Sequence, residues 1–213
     1  MKLYGYFRSS AAYRVRIALN LKGLAADRLP VHLAKGAQHA AEFVALNPQA
    51  LVPVLVTDDG TVLTQSLAII EWLEEVHPRP PLLPGTADDR ARVRAIALAI
   101  ACDIHPLNNT RVLRYLSGTL EAPQDARDAW YAHWCATGLG ALESRLAREP
   151  ATGRFCHGDA PTIADVCLVP QLANARRFNV DVAPYPTLLR IDAACRAIPA
   201  FADAAPERQP DAG

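Results

Sequence analysis

The chain reads as an α/β domain followed by an all-helical one, and three observations predict it. Residues 1–80 alternate between strand-like and helix-like runs of apolar residues. A stretch rich in proline, "HPRPPLLPGTADD", follows them. Past that stretch strand patterns vanish and long helical periods take over.

The first domain is read element by element. "KLYGYF" is a short apolar strand. Ser10 to Lys22 has helical spacing, with Val15, Ala18 and Leu19 on one face and Gly23 as the stop. "LPVHL" reads as a second strand, and "HAAEFVALN" as a short helix ended by Asn47 and Pro48. "VPVLVTDDGTVLT" is a hairpin around Asp58-Asp59-Gly60. Ser66 then caps a helix running to Val76, with Leu67, Ile70 and Leu73 on one face. The order βαβαββα predicts a mixed sheet of four strands. Residues 1–80 form this domain, 81–86 the linker and 87–213 the helical domain. In the latter, Ala87 to about Leu116 is one long helical pattern with a kink expected at Pro106. Three more helices follow, in "PQDARDAWYAHWCATGLGALESRLAREP", "PTIADVCLVPQLANARRF" and "YPTLLRIDAACRAIP", the second with Thr162 and Asp165 spaced as a capping box. The tail "APERQPDAG" is polar and expected to be loose.

Composition narrows the function. Lys plus Arg total 22 and Asp plus Glu total 22, so no basic excess points to nucleic acid. No run approaches the ~20 apolar residues of a membrane span. The first apolar run ends at Arg8, too early for a signal peptide, so a cytoplasmic protein is expected. Cys102, Cys135, Cys156, Cys167 and Cys195 are widely spaced, and the six histidines form no HExxH pair, so no metal is expected.

Three stretches carry chemistry. In "RSSAAYRVR", Ser9 and Ser10 stand at a strand-to-helix junction, with Arg8 just before and Arg14 and Arg16 just after. A helix N-terminus offers unpaired N–H groups and partial positive charge, which lower the pKa of a thiol placed there. No cysteine lies nearby, so that thiol would come from a ligand; alone, the motif is equally an ordinary serine cap. In "QALVPVL", Pro53 suits a strand entrance, with a cis bond one option. It leaves the backbone of Val52 at an edge where an extended peptide can pair, although an edge proline needs no ligand. In "TQSLAIIEWL", Gln65 and Ser66 open a second helix N-terminus suited to a carboxylate, or to nothing beyond a cap. Together these features fit a small peptide with a thiol and carboxylates, and glutathione answers that description.

At these residues the chain resembles a known family. "YFRSSAAYRVRIALNLKG", "LNPQALVPVL", "QSLAIIEWLEE", "DIHPLNN" and "ADVCLVPQLANARRFNVDVAPYPTL" are similar to the zeta class of glutathione transferases, in order and over nearly the whole chain. The resemblance implies a thioredoxin-like βαβαββα domain before the helical domain, and a homodimer. It places Ser10, with Ser9 and Ala11 beside it, at the glutathione thiolate. It pairs Val52, before Pro53, with the cysteinyl backbone, gives Gln65 and Ser66 the γ-glutamyl end, and adds Gln38. His105 and Asn109 would reach the tripeptide from the helical domain. It assigns Arg8, Arg111 and Arg177 to the carboxylates of a small dicarboxylic or keto-acid substrate, with Arg176 as a neighbouring candidate. Such proteins usually read Ser-Ser-Cys at the first helix; here the third residue is Ala11, so any activity needing that cysteine is in doubt. The implied reaction is glutathione-dependent cis–trans isomerisation of maleylpyruvate or maleylacetoacetate by thiolate addition, bond rotation and elimination. Two rivals remain: conjugation or dehalogenation of small α-halo acids through the same thiolate, and a non-catalytic interaction module, against which the retained serine pair and Gln65-Ser66 argue.

Overall fold

A computed structural model describes residues 1–212. Among them the chain forms one mixed sheet of four strands and nine α-helices, divided between two compact units.

The first unit opens with β1 (Lys2–Gly5), α1 (Ser10–Leu21), β2 (Asp27–Pro30), α2 (Ala41–Leu46), β3 (Val54–Val56), β4 (Val62–Thr64) and α3 (Ser66–Val76). The βαβαββα order is the expected one. The sheet order is β2-β1-β3-β4, with β1 parallel to β2 and the other pairs antiparallel. Register assigns the faces. Leu3 pairs with Leu55 and points to one side, where α1 and α3 supply Val15, Ala18, Leu19, Ile69, Ile70 and Leu73 to the core. Tyr4 pairs with Val54 and points to the other, where Tyr6, Val31, Phe43 and Val52 cluster.

Local chemistry sets the boundaries. Gly23 has φ +65° and ends α1, with its own N–H on Asn20 and that of Leu24 on Leu19 at 2.9 Å. The second strand comes earlier than "LPVHL" suggests. The N–H of Val31 makes the last bond to β1, on the Gly5 carbonyl at 2.6 Å, and His32 already starts a 3₁₀ turn over Leu33–Lys35. At α3, Gln65 rather than Ser66 is the capping residue, and Ser66 is the first helical one.

The second unit spans Leu83–Arg196. It contains α4 (Ala87–Leu98), α5 (Thr110–Gly118), α6 (Gln124–Leu146), α7 (Ile163–Arg177) and α8 (Pro186–Arg196). The single helix expected from Ala87 to Leu116 is broken, and the break begins before Pro106. Ala99–Ile104 is a widened π-helical turn, closed by the N–H of His105 on the carbonyl of Ile100 at 3.0 Å. The capping box of α7 is present as expected. The buried carboxylate of Asp165 accepts from the Thr162 N–H at 2.8 Å, the Thr162 hydroxyl at 2.9 Å and the Cys156 N–H at 2.8 Å.

The expected helical domain 87–213 gives up its end. The boundary falls between Leu82 and Leu83, both buried within the expected linker, and the chain from Ala197 onward rejoins the first unit. Pro199–Ala202 forms α9, and the tail expected to be loose, from Ala205, forms two 3₁₀ turns over Pro206–Arg208 and Pro210–Ala212. The reason lies in α1. Phe201 is buried, and its carbonyl receives the Tyr13 hydroxyl at 3.3 Å. Asn20 donates to the carbonyl of Ala200 at 3.0 Å, and Arg16 Nε to that of Ala204 at 2.9 Å. Among the described residues no helix is long and apolar enough to cross a membrane, and no group of three or more His, Cys, Asp or Glu is placed to hold a metal.

Candidate active site

In the first unit the strand-to-helix turn is held from several sides. The N–H of Ser9 bonds the Tyr6 carbonyl at 2.9 Å. The Ser9 hydroxyl accepts from the Ala12 N–H at 3.2 Å, which makes Ser9 the N-cap of α1. Ser10 is buried at the first helical position, followed by Ala11. Arg8 is exposed, its guanidinium 4.9 Å from the centre of the Phe7 ring. Arg16, 3 % exposed, donates to the Phe7 carbonyl at 3.1 Å, and Asp211 Oδ2 accepts from the Phe7 N–H at 3.0 Å. Burial, and secondarily the nearby charge of Arg28, lower the pKa of Arg16 to about 10.

The second helix N-terminus of this unit is tied to the first. Arg14, 1 % exposed, donates from Nη1 to the Ser66 hydroxyl at 3.3 Å. An oxygen that accepts from a guanidinium keeps its own proton for another acceptor. Gln65, just before it, has φ +67°, a backbone state costing about 1–3 kcal/mol for a residue with a side chain. Its side chain donates to Gln49 Oε1 at 3.0 Å.

The loop before β3 is organised by a buried asparagine. Asn47 donates to the Leu51 carbonyl at 2.8 Å and accepts from the Gln49 N–H at 3.1 Å. That holds Val52, which is buried and lies outside the paired residues of β3, before a cis bond to Pro53. Gln38, 5 % exposed in a 3₁₀ turn, has a side-chain carbonyl oxygen with no donor among the described residues. A peptide N–H is the group such an atom lacks. A tripeptide with a carboxylate at each end and a thiol between them therefore fits the residues present.

In the second unit the break between α4 and α5 carries His105 and Asn109. Asn109 is the N-cap of α5, its oxygen accepting from the Arg111 N–H at 3.1 Å, and its amide nitrogen lies 3.5 Å from His105 Nε2. The break is held from α6. Trp130 Nε1 donates to the Leu107 carbonyl at 2.9 Å, and Asn108 donates to the Tyr131 carbonyl at 3.3 Å. Arg111 is exposed at the start of α5. Arg177 is exposed near the end of α7, 4.6 Å from the Phe178 ring centre, and Phe178 stacks on Tyr131 at 3.9 Å. Arg176 is engaged elsewhere, paired at 2.7 Å with the buried carboxylate of Asp192 on α8.

Sequence reasoning did not assign Arg14, Arg16 or Asn47 a place. The signal for Arg14 was available. It precedes Ala18 by four residues, which puts a charge on the buried face of α1, and a buried charge calls for a partner.

A fold of this order, with paired serines opening one helix and a cis proline beside the sheet, defines the class. Residues 8–76 match the glutathione S-transferase N-terminal domain and residues 124–207 the C-terminal domain of that family. The chain belongs to the glutathione S-transferase family, in its zeta class. It is 53 % identical over 211 residues to a maleylpyruvate isomerase from a Ralstonia species, covering 99 % of both chains. It superposes with a TM-score of 0.97, at 52 % identity and 100 % of both chains, on the holo structure of a maleylpyruvate isomerase described as a bacterial zeta-class glutathione S-transferase. A maleylacetoacetate isomerase from Anaeromyxobacter dehalogenans 2CP-1, solved with dicarboxyethyl glutathione and citrate in its active site, matches with a TM-score of 0.87 at 49 % identity, over 100 % of this chain and 97 % of that one.

Proposed function

We propose that the protein is a glutathione-dependent cis–trans isomerase that converts maleylpyruvate or maleylacetoacetate to the fumaryl isomer, and works as a homodimer in the cytoplasm. The observation that carries this reading is the Arg14–Ser66 hydrogen bond, which ties the start of α3, suited to a carboxylate, to α1, whose own N-terminus suits the thiol of the same tripeptide. The names of the relatives, and the dicarboxyethyl glutathione held by the Anaeromyxobacter enzyme, support the same chemistry.

Bound glutathione supplies a thiol that adds to the conjugated double bond and leaves again after rotation. The chain's residues do the rest. The N-terminus of α1, with the hydroxyls of Ser9 and Ser10, favours the ionised thiol by N–H and O–H donation. Val52 offers its backbone to the peptide, Gln38 its carbonyl oxygen, and Ser66 with Gln65 receives the γ-glutamyl carboxylate. His105 and Asn109 are also assigned to glutathione. Arg8, Arg111 and Arg177 hold the substrate's carboxylates and stabilise negative charge developing beside its carbonyl. Arginine suits this because its planar fork stays charged and grips a carboxylate through two bonds.

A spectrophotometric assay tests the reading. Maleylpyruvate, made in situ by a ring-cleaving dioxygenase, is followed with and without glutathione. Fumarylpyruvate should form at a catalysed rate only with glutathione, and Arg8→Ala and Arg177→Ala should each lower kcat/KM by about 30-fold or more. No acceleration with either maleyl substrate, together with chloride release from dichloroacetate, would replace the isomerase with a dehalogenating transferase. Size-exclusion chromatography with light scattering tests the dimer.

A further inference from the structure

Behind the Phe7–Ser9 turn the first unit contains a pocket of about 180 Å³ between β2, α1 and the returning tail. Most of its wall is apolar, from Leu3, Tyr6, Leu29, Pro30 and Pro210. Its polar side carries two guanidinium groups, Arg16 and Arg28, and one carboxylate, Asp211. The nitrogens of Arg16 are engaged, Nε by the Ala204 carbonyl, Nη2 by that of Phe7 at 3.1 Å, and Nη1 by that of Tyr6 at 3.5 Å. Asp211 is engaged by the Phe7 N–H. Arg28 is not satisfied in this way: its Nη1 is buried and has no acceptor among the described residues.

Among the described residues that line it the charges do not balance. Two positive groups face one negative group in a partly desolvated space, and both arginines hold their protons less firmly than usual, chiefly through burial. A buried donor without an acceptor is costly, and a like charge beside it adds to the cost. An anion placed on Arg28 removes both penalties. The apolar wall adds a second requirement, because a small hydrated ion gains nothing from Leu29, Tyr6 and the two prolines.

We propose that this pocket binds a small amphipathic carboxylate, with its anionic end on the Arg28 guanidinium and a ring or branched apolar body against Tyr6, Leu29 and Pro30. The claim stands on the pocket alone and is independent of the isomerase reading. It is also distinct from the glutathione residues, none of which lines the cavity. The position gives the ligand leverage: Phe7, whose N–H and carbonyl are both held beside the pocket, directly precedes Arg8 and Ser9.

Benzoate is the probe, measured by isothermal titration calorimetry against the full chain saturated with glutathione. Binding should weaken about tenfold or more in Arg28→Met, and persist in Arg8→Ala. Equal affinity in wild type and Arg28→Met, or loss in Arg8→Ala, would overturn the proposal. So would inorganic phosphate binding as tightly as benzoate, since that would leave no role for the apolar wall. Crystals of the wild-type chain soaked with 4-bromobenzoate give a test independent of any variant. An anomalous bromine peak beside Leu29 and Pro30 is expected, and its absence there overturns the assignment.

Discussion

Arg14 Nη1 lies 3.3 Å from the hydroxyl of Ser66, so one buried guanidinium on α1 holds the first residue of α3. Both residues are buried, and hydrogen bonds to a charged group in such surroundings contribute about 1.5–3 kcal/mol. Arg14→Met should therefore lower unfolding free energy by that order in urea titrations. Because Ser66 is also assigned to the γ-glutamyl carboxylate, glutathione affinity should fall about tenfold in the same variant. A chain that is destabilised but binds glutathione normally would limit Arg14 to folding.

Gln65 offers the opposite combination. Its φ of +67° is strained for any residue with a Cβ, and glycine adopts it freely. Relief of about 1–3 kcal/mol is offset in part by the ~0.5–1 kcal/mol that glycine's unfolded-state entropy costs. Gln65→Gly should be about 1 kcal/mol more stable than wild type and bind glutathione more weakly, because its amide is gone. Thermal unfolding beside calorimetric titration reads both. Weaker binding without greater stability would mean that the backbone state carries no strain.

Gly138 on α6 faces Ile104, the last residue of the π-helical turn, and a Cβ placed there would lie 2.2 Å from Ile104 Cγ1. Alanine normally gains about 1 kcal/mol over glycine inside a helix. Here overpacking at about 1–3 kcal/mol should exceed that gain. Gly138→Ala should lower Tm, and the double variant Gly138→Ala with Ile104→Ala should show a favourable coupling in a double-mutant cycle. Additive effects would show that the two positions do not press on each other.

Part of the fold, including local features of the candidate site, was legible because it rests on local rules. Serines before a helical period mark an N-cap, a proline before a strand marks its entrance, and Thr162 with Asp165 marks a capping box. Ser9, Pro53 and Asp165 take those places. Other features depend on contacts remote in sequence. The break before α5 was expected at Pro106 on local grounds, yet it starts at Ala99, where α6 packs through Gly138 against Ile104 and its Trp130 bonds the Leu107 carbonyl. Arg176 and Arg177 are adjacent in sequence, and only packing against α8 gives Arg176 to Asp192.

The sequence by itself determined the order of strands and helices over residues 1–80, the two helix starts that suit anionic groups, and the family. Each is written in spacing, capping residues and motifs a few positions long. Tertiary structure decided what neighbours in space impose. It sent Phe201 and the tail back to α1, because a buried ring and two carbonyls for Arg16 and Asn20 outweigh a solvated end. It moved the domain boundary, hydrogen-bonded Arg14 to Ser66, and left Arg28, beside a pocket, with an Nη1 that has no acceptor among the described residues. Charge and hydrogen-bond balance are set by which groups meet in space, and sequence separation carries little record of that.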